Sequence, residues 1–319
     1  MIQDGVLVID GSLPPEELVL KGIDAIEFAG YQNDQFKNEE IVKYVKKIQN
    51  IAKIKKLTID AFISLEDLEL LKHFPDLEVL DIGSEDIASF RGIEHFKKGK
   101  LLIVETGKNK KRSLEGIGSL LLETIYIEYG NSGDYEAIKN CLSLKRLAVG
   151  RGPAPDFEMW KDVPLERLKL CNFCKFIELK DMALIPSLKE VSVGAVRKFE
   201  RFVGDNSNIK NLTVDGCRSF DISSLETCSH LEDLTMGAIP PVSLDNLPYL
   251  EHLKTFYLLG DVKLDFGKFN LKKKLPNLEM FIPPRGKKDV LKQLSECNED
   301  VVIQHGEFKY KNGIGIKLY

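Results

Sequence analysis

Between Leu77 and Lys98 the sequence reads LEVLDIGSEDIASFRGIEHFKK, with apolar residues at Leu77, Leu80, Ile82, Ile87, Phe90, Ile93 and Phe96. Leu80 and Ile82 alternate as residues on one face of a strand do. The later positions fall three apart, the spacing of a short 3₁₀ or helical return. Neither half can bury its apolar side alone, so a unit of about 22 residues has to stack on copies of itself. Copies of the first triplet stand at Ile54/Leu57/Ile59, Leu122/Ile125/Ile127, Leu144/Leu147/Val149, Leu165/Leu168/Leu170 and Leu188/Val191/Val193. They continue at Ile209/Leu212/Val214, Leu231/Leu234/Met236 and Leu253/Phe256/Leu258. Successive starts from Leu122 to Leu253 lie 21 to 23 residues apart. Leu102 and Val104 supply the copy due before Leu122, with Gly99 in its first apolar slot, while Ile23/Ile26/Phe28 and Leu278/Phe281 are less regular copies. The count implies about 12 strands.

At these residues the chain resembles the leucine-rich repeat family, whose signature is L-x-x-L-x-L followed by a turn and a return segment. The unit length is similar to that of the internalin-type class, and the resemblance covers roughly residues 23–285. It implies an α/β fold: a leucine-rich repeat solenoid with a curved parallel sheet and a convex side of mixed 3₁₀, helical and irregular segments. The family usually carries Asn or Cys three residues after the third apolar strand position. Here that slot holds Glu85, Gly107, Gly130, Gly152, Phe173, Val196, Cys217, Ile239 and Asp261. Without an Asn ladder the bends need other partners. Gly83, Gly150, Gly194, Gly216, Gly237 and Gly260 cluster there, as tight backbone turns would ask.

The domain organisation read from the pattern is one domain, 1–319, with residues 1–53 as N-terminal strands and a helical cap, 54–285 as repeats and 286–319 as a C-terminal helix–hairpin cap. Val6–Asp10 reads as a strand ended by Gly11-Ser12-Leu13-Pro14-Pro15. In 38–53, Ile41, Val42, Val45, Ile48 and Ile51 share a helical face, with Asn38 placed to cap it. Pro75, Pro164, Pro186 and Pro276 each fall just before a strand's first leucine, where proline ends the return segment and favours extended backbone. The polar stretch 105–113 reads as an exposed convex loop. Near the C-terminus, Lys287–Cys297 reads as an amphipathic helix, followed by strands turned at Asn312-Gly313.

A net charge of −4 argues against general nucleic-acid binding, and no apolar run approaches the roughly 18 residues of a membrane span. Acidic residues stand where a signal peptide would be basic, so a cytoplasmic location is expected. Of the six cysteines, only Cys171 and Cys174 are close in sequence, without a second ligand pair for zinc. They read as reduced thiols in the repeat wall. The five histidines are scattered, and no phosphate loop or dinucleotide loop occurs. The chain reads as non-enzymatic, with no cofactor and no metal.

Residues between the inward leucines point to the other sheet face, concave in this family. Along it the charge runs acidic, basic, acidic. The candidate contacts are Asp81, Glu105, Tyr126, Glu128, Arg146, Arg167, Lys169, Glu190, Asp215, Asp233 and Tyr257. Register places Arg146 beside Arg167 and Glu105 beside Glu128, juxtapositions that a sheet does not need, while Arg167 pairing Glu190 is the plain structural alternative. The expected function is a monomeric protein-interaction module that binds a protein partner through this face. The leading specific reading is a bacterial immunity protein that inhibits a cognate toxin. The alternatives are a secreted or surface-attached recognition or adhesion protein, and a phosphatase-regulatory adaptor.

Overall fold

The strand Val79–Ile82 shows how the repeat works: Leu80 and Ile82 are fully buried, whereas Val79 and Asp81 face the other side of the sheet. Burying each such Leu or Ile stabilises by roughly 2 kcal/mol, and only a neighbouring strand in the same register keeps every apolar residue on the inner face. A computed structural model describes residues 2–3, 5–10, 18–19, 22–30, 36–84, 87, 89–105, 113–172, 177–240, 246–260, 270–284, 288–306 and 308–317. Its contacts gather into two units, Met1–Leu165 and Glu166–Tyr319. The Gly11–Pro15 turn, most of the polar 105–113 stretch and Cys174 lie outside the described residues.

In the first unit, parallel strands run Val6–Ile9, Ala25–Phe28, Lys56–Ile59, Val79–Ile82, Leu101–Val104, Thr124–Tyr129 and Arg146–Arg151. The register aligns Ile26, Leu57, Leu80, Leu102, Ile125 and Leu147 in one row, as the repeat phase requires. Ile2–Gln3 closes the outer edge antiparallel to Val6–Leu7. The helix Asn38–Lys47 buries Ile41 and Val45. It stops at Lys47, short of the 38–53 span expected, because Ile48–Gln49 pairs as a short strand with Leu18–Val19 and Asn50 turns left-handed at φ 62°. Val42 and Ile51 are therefore only half-buried.

The second helix, Ser132–Ile138, was not expected from the repeat pattern. It starts with a capping box: Asn131 Oδ1 accepts from Asp134 N at 3.0 Å, and Asp134 Oδ2 accepts from Asn131 N at 3.1 Å. It packs Tyr135 edge-on to Trp160, with centroids 5.4 Å apart, and Trp160 Nε1 donates to Tyr135 O.

In the second unit the parallel strands are Arg167–Cys171, Glu190–Gly194, Asn211–Asp215, Asp233–Gly237, Thr255–Leu259, Met280–Ile282 and Val302–His305. An antiparallel hairpin, Phe308–Lys311 and Ile314–Lys317, closes the far edge. Asn312 and Gly313 turn it with φ 51° and 74°, the positive pair expected of a two-residue turn. The helix Lys288–Cys297 buries Leu291 and Leu294. Val6–Ile9 and Val302–His305, read from sequence as parts of the caps, each extend a parallel ladder by one strand.

The bends are satisfied in ways the repeat signature does not announce. Asn206, fully buried, accepts from Met182 N at 3.1 Å and donates to Val203 O and Thr227 Oγ1, both at 3.0 Å. Asn298 plays the same part between Leu271 N and Leu294 O. Of the six glycines expected to serve as turns, only Gly216 and Gly260 adopt positive φ. Gly83 matters through proximity: a Cβ there would sit 2.9 Å from Ala61 N and 3.1 Å from Ile59 O.

Candidate functional site

The outward face of the first unit is built from positions between the buried leucines. Register puts Glu27 opposite Thr58, Thr58 opposite Asp81, and Asp81 opposite Ile103. One step further along, Val104 opposite Ile127 brings Glu105 next to Glu128. Glu27, Asp60, Asp81, Glu105 and Glu128 thus converge on one depression of about 680 Å³, together with Thr58, Gly83 and Tyr129. Among the described residues, five carboxylates line it and no lysine, arginine or histidine does.

Such crowding has an electrostatic consequence. Burial pushes the Asp81 carboxyl above its ordinary value; Glu105 adds to the rise, Lys56 opposes it, and Glu27 adds a smaller push upward. The Asp60 carboxylate is turned back on its own bend, with Oδ1 accepting from Ala61 N at 2.5 Å. At the rim the Arg151 guanidinium lies 4.9 Å over the Tyr129 ring and donates to its hydroxyl, which fixes that aromatic edge.

Of the residues singled out in the sequence, Asp81, Glu105 and Glu128 meet here. Tyr126 lies opposite Ile103 and Ala148, half-buried on the same face, and Arg146 is exposed at the start of its strand opposite Thr124. Asp60 and Tyr129 join the three carboxylates, both on the face that the repeat phase marks as outward though not among the candidate contacts. Glu27 joins them from Ala25–Phe28, a strand of less regular spacing.

In the second unit, Arg167 Nε lies 3.1 Å from Glu190 Oε2, the pairing its register allows. Lys169 is exposed opposite Ser192, Asp215 lies opposite Gly237, and Asp233 lies opposite Thr255. Tyr257 is half-buried, with its hydroxyl 4.0 Å from Met280 Sδ. These residues carry both signs, with Arg167 and Lys169 on one strand and Glu190, Asp215 and Asp233 on those that follow.

The cysteines do not extend the site. Cys141, Cys217 and Cys228 are buried, and burial pushes their thiols up to about 12, 11 and 12 respectively. Such thiols are poor nucleophiles and poor metal ligands. Among the described residues one trio has metal-ligand chemistry within reach, Glu69, Glu94 and His95, on the return side. Arg91 and Lys72 already stand 3.9 and 4.0 Å from Glu69.

No protein-family model matches the sequence, and no curated protein sequence matches it. Solved structures do match. A chain from a TLR13–ssRNA13 complex superposes with a TM-score of 0.56 at 14% identity, over 94% of this chain and 41% of that one. This chain thus spans less than half the length of that neighbour. The internalin inlF from Listeria monocytogenes str. 4b F2365 gives 0.46 at 14% identity, over 83% of this chain and 77% of its own. The APL1 leucine-rich repeat domain gives 0.41 at 14% identity, over 98% of both chains. With the L-x-x-L-x-L phase held in register through both units, the fold of this chain is that of the leucine-rich repeat proteins.

Proposed function

We propose that this chain is a non-enzymatic protein-interaction module whose recognition surface is the acidic face of the first unit. The observation that carries the reading is the convergence of five carboxylates on one preformed depression whose lining, among the described residues, holds no cation. A fold gains nothing from that crowding, since like charges at strand spacing are mutually destabilising. A partner with a basic protrusion relieves it on docking, and complementary charge speeds encounter and excludes acidic competitors. Tyr126 and Tyr129 supply rigid aromatic contacts beside the charge. Arg146, and in the second unit Arg167 and Lys169, serve as separate contacts for acidic groups of a partner.

The specific role that suits such a surface is inhibition of a basic protein, as a bacterial immunity protein in the cytoplasm masks a cognate toxin. The test compares capture from native lysate by the wild type, by Glu105→Lys with Glu128→Lys, and by Arg146→Glu with Arg167→Glu. The first double variant is expected to lose its partner by at least about tenfold, since desolvated charge contacts are each worth roughly 2 kcal/mol. The second is expected to weaken it less. Equal capture by the wild type and the Glu105/Glu128 variant overturns the assignment to this face.

A further inference from the structure

In both units the residue that enters each strand donates its N–H to the carbonyl of the equivalent residue one repeat earlier. In the first unit this chain of bonds joins Asp24, Lys55, Glu78, Lys100, Glu123 and Lys145. The charge reverses at every step, and the side chains follow: Glu78 takes Lys100 Nζ at 2.7 Å and Lys55 Nζ at 3.9 Å. In the second unit the same chain runs Glu166, Lys189, Lys210, Glu232, Lys254 and Glu279. It alternates everywhere except at Lys189–Lys210.

The extra cation is not absorbed by the ladder. Glu232 is shared by Lys210 and Lys254, both at 2.6 Å. Among the described residues, Lys189 Nζ donates to the carbonyl of Pro186 at 2.8 Å, and Lys272 Nζ to that of Pro276 at 3.0 Å, without a carboxylate partner. A depression of about 710 Å³ opens at this step. Its lining carries four lysines, Lys189, Lys210, Lys254 and Lys272, against two carboxylates, Glu232 and Glu279, with Ser207 and the His230 and His252 rings as walls.

Lys189 and Lys210 stand on neighbouring rungs of the ladder, a backbone spacing of about 4.8 Å from which two flexible ammonium groups can both reach one tetrahedral anion. Glu232 and Glu279 break the positive stripe that a nucleic-acid backbone would need. We propose that the doubled lysine step Lys189–Lys210 is a binding site for a phosphate monoester dianion.

The experiment is a thermal-shift titration of the full chain with inorganic phosphate, run against chloride at fixed ionic strength, with O-phosphoserine and a short single-stranded RNA as further probes. Wild type is expected to gain Tm saturably with phosphate and with O-phosphoserine. Lys189→Glu reverses the charge at the step, so it is expected to bind phosphate at least about tenfold more weakly. Lys189→Gln, which only removes the charge, is expected to weaken phosphate less. Lys198→Glu, which makes the same charge change outside the depression, is expected to bind as wild type does. A wild type without saturable phosphate binding, or a Lys189→Glu variant that binds phosphate equally well, overturns the proposal. Binding of the RNA, but not of phosphate, through Lys189 overturns it in favour of a phosphodiester ligand.

Discussion

The two units run the same repeat and close its bends differently. In the first, the residue after several strands donates back to the preceding strand (Asp60 N to Phe28 O, Gly83 N to Ile59 O, and Glu105 N to Ile82 O), whereas Gly130 N already donates forward to Arg151 O. In the second, the strands run one residue longer and the next position turns left-handed, with φ 56° at Asn172, 54° at Ala195, 68° at Gly216, 44° at Ala238 and 76° at Gly260. There the N–H donates forward, from Asn172 to Gly194 O, Ala195 to Asp215 O and Gly216 to Gly237 O. The leucines settle which residues are buried, but the residue after the strand settles what the open face presents. The first unit places Asp60 and Glu105 there and gathers one sign of charge.

The return sides differ as well, and the largest expected effects lie there. Trp160 is fully buried, edge-on to Tyr135 and Phe157. Its counterpart in the second unit is Phe199, stacked at 5.6 Å on Phe220 and edge-on to Phe202. Trp160→Ala and Phe199→Ala are each expected to cost about 3–5 kcal/mol in chemical denaturation. A cost for Trp160→Ala below about 1 kcal/mol would show that the helix Ser132–Ile138, not the indole, holds its segment in place.

Next comes Asn206, whose amide satisfies three buried groups of the second unit. Asn206→Ala leaves Met182 N without its partner, while Val203 O keeps its bond from Asp181 N, and is expected to cost about 2 kcal/mol. The same denaturation series measures it. A change within about 0.5 kcal/mol would mean that water replaces the amide at no cost.

This Asn also marks where the sequence stopped being legible. The strands, their register and the inward rows could be read because a period of about 22 residues repeats enough to outweigh any one exception. The hairpin at Asn312-Gly313 could be read because few residues accept two positive φ values in succession. Asn206 escaped notice because it lies away from the slot where the family keeps its Asn. The left-handed Ala195 and Ala238 were illegible because alanine carries no turn signal. The acidic face was half legible: Asp81, Glu105 and Glu128 followed from alternation, whereas Glu27 belongs to a strand whose spacing is less regular. The grouping by unit depends on tertiary contacts that no local pattern encodes.

Those alanines give a smaller and oppositely signed test. A left-handed L-residue carries a penalty of roughly 1 kcal/mol that glycine does not. Ala195→Gly and Ala238→Gly are therefore each expected to stabilise the second unit by about 0.5–1 kcal/mol. In the first unit the reverse substitution, Gly83→Ala, drives a Cβ against Ala61 N and Ile59 O and is expected to destabilise by about 1 kcal/mol or more. If both kinds of change move Tm in the same direction, the bends do not differ as described.

The smallest effects are electrostatic, and here two carboxylates titrate in opposite senses. Glu232 is held down to about 2, first by its hydrogen bonds from Lys210 and Lys254. Its contribution to stability is present above the ordinary glutamate value and is lost as pH falls towards about 2. Asp81 is raised, by burial first and then by Glu105 and Glu27. Its contribution is fully present below the ordinary aspartate value and is lost as pH rises through the raised folded value. Glu232→Gln should therefore lose a few tenths of a kcal/mol at neutral pH, after solvent screening, and approach wild type in acid. Asp81→Asn should instead match wild type in acid and become the more stable of the two towards neutral pH. Equilibrium denaturation at several pH values between 3 and 7 reads both differences. An Asp81→Asn variant whose difference from wild type does not grow with pH would mean that solvent already screens the five carboxylates from one another. The first unit would then lack the concentrated charge on which its proposed recognition of a basic partner depends.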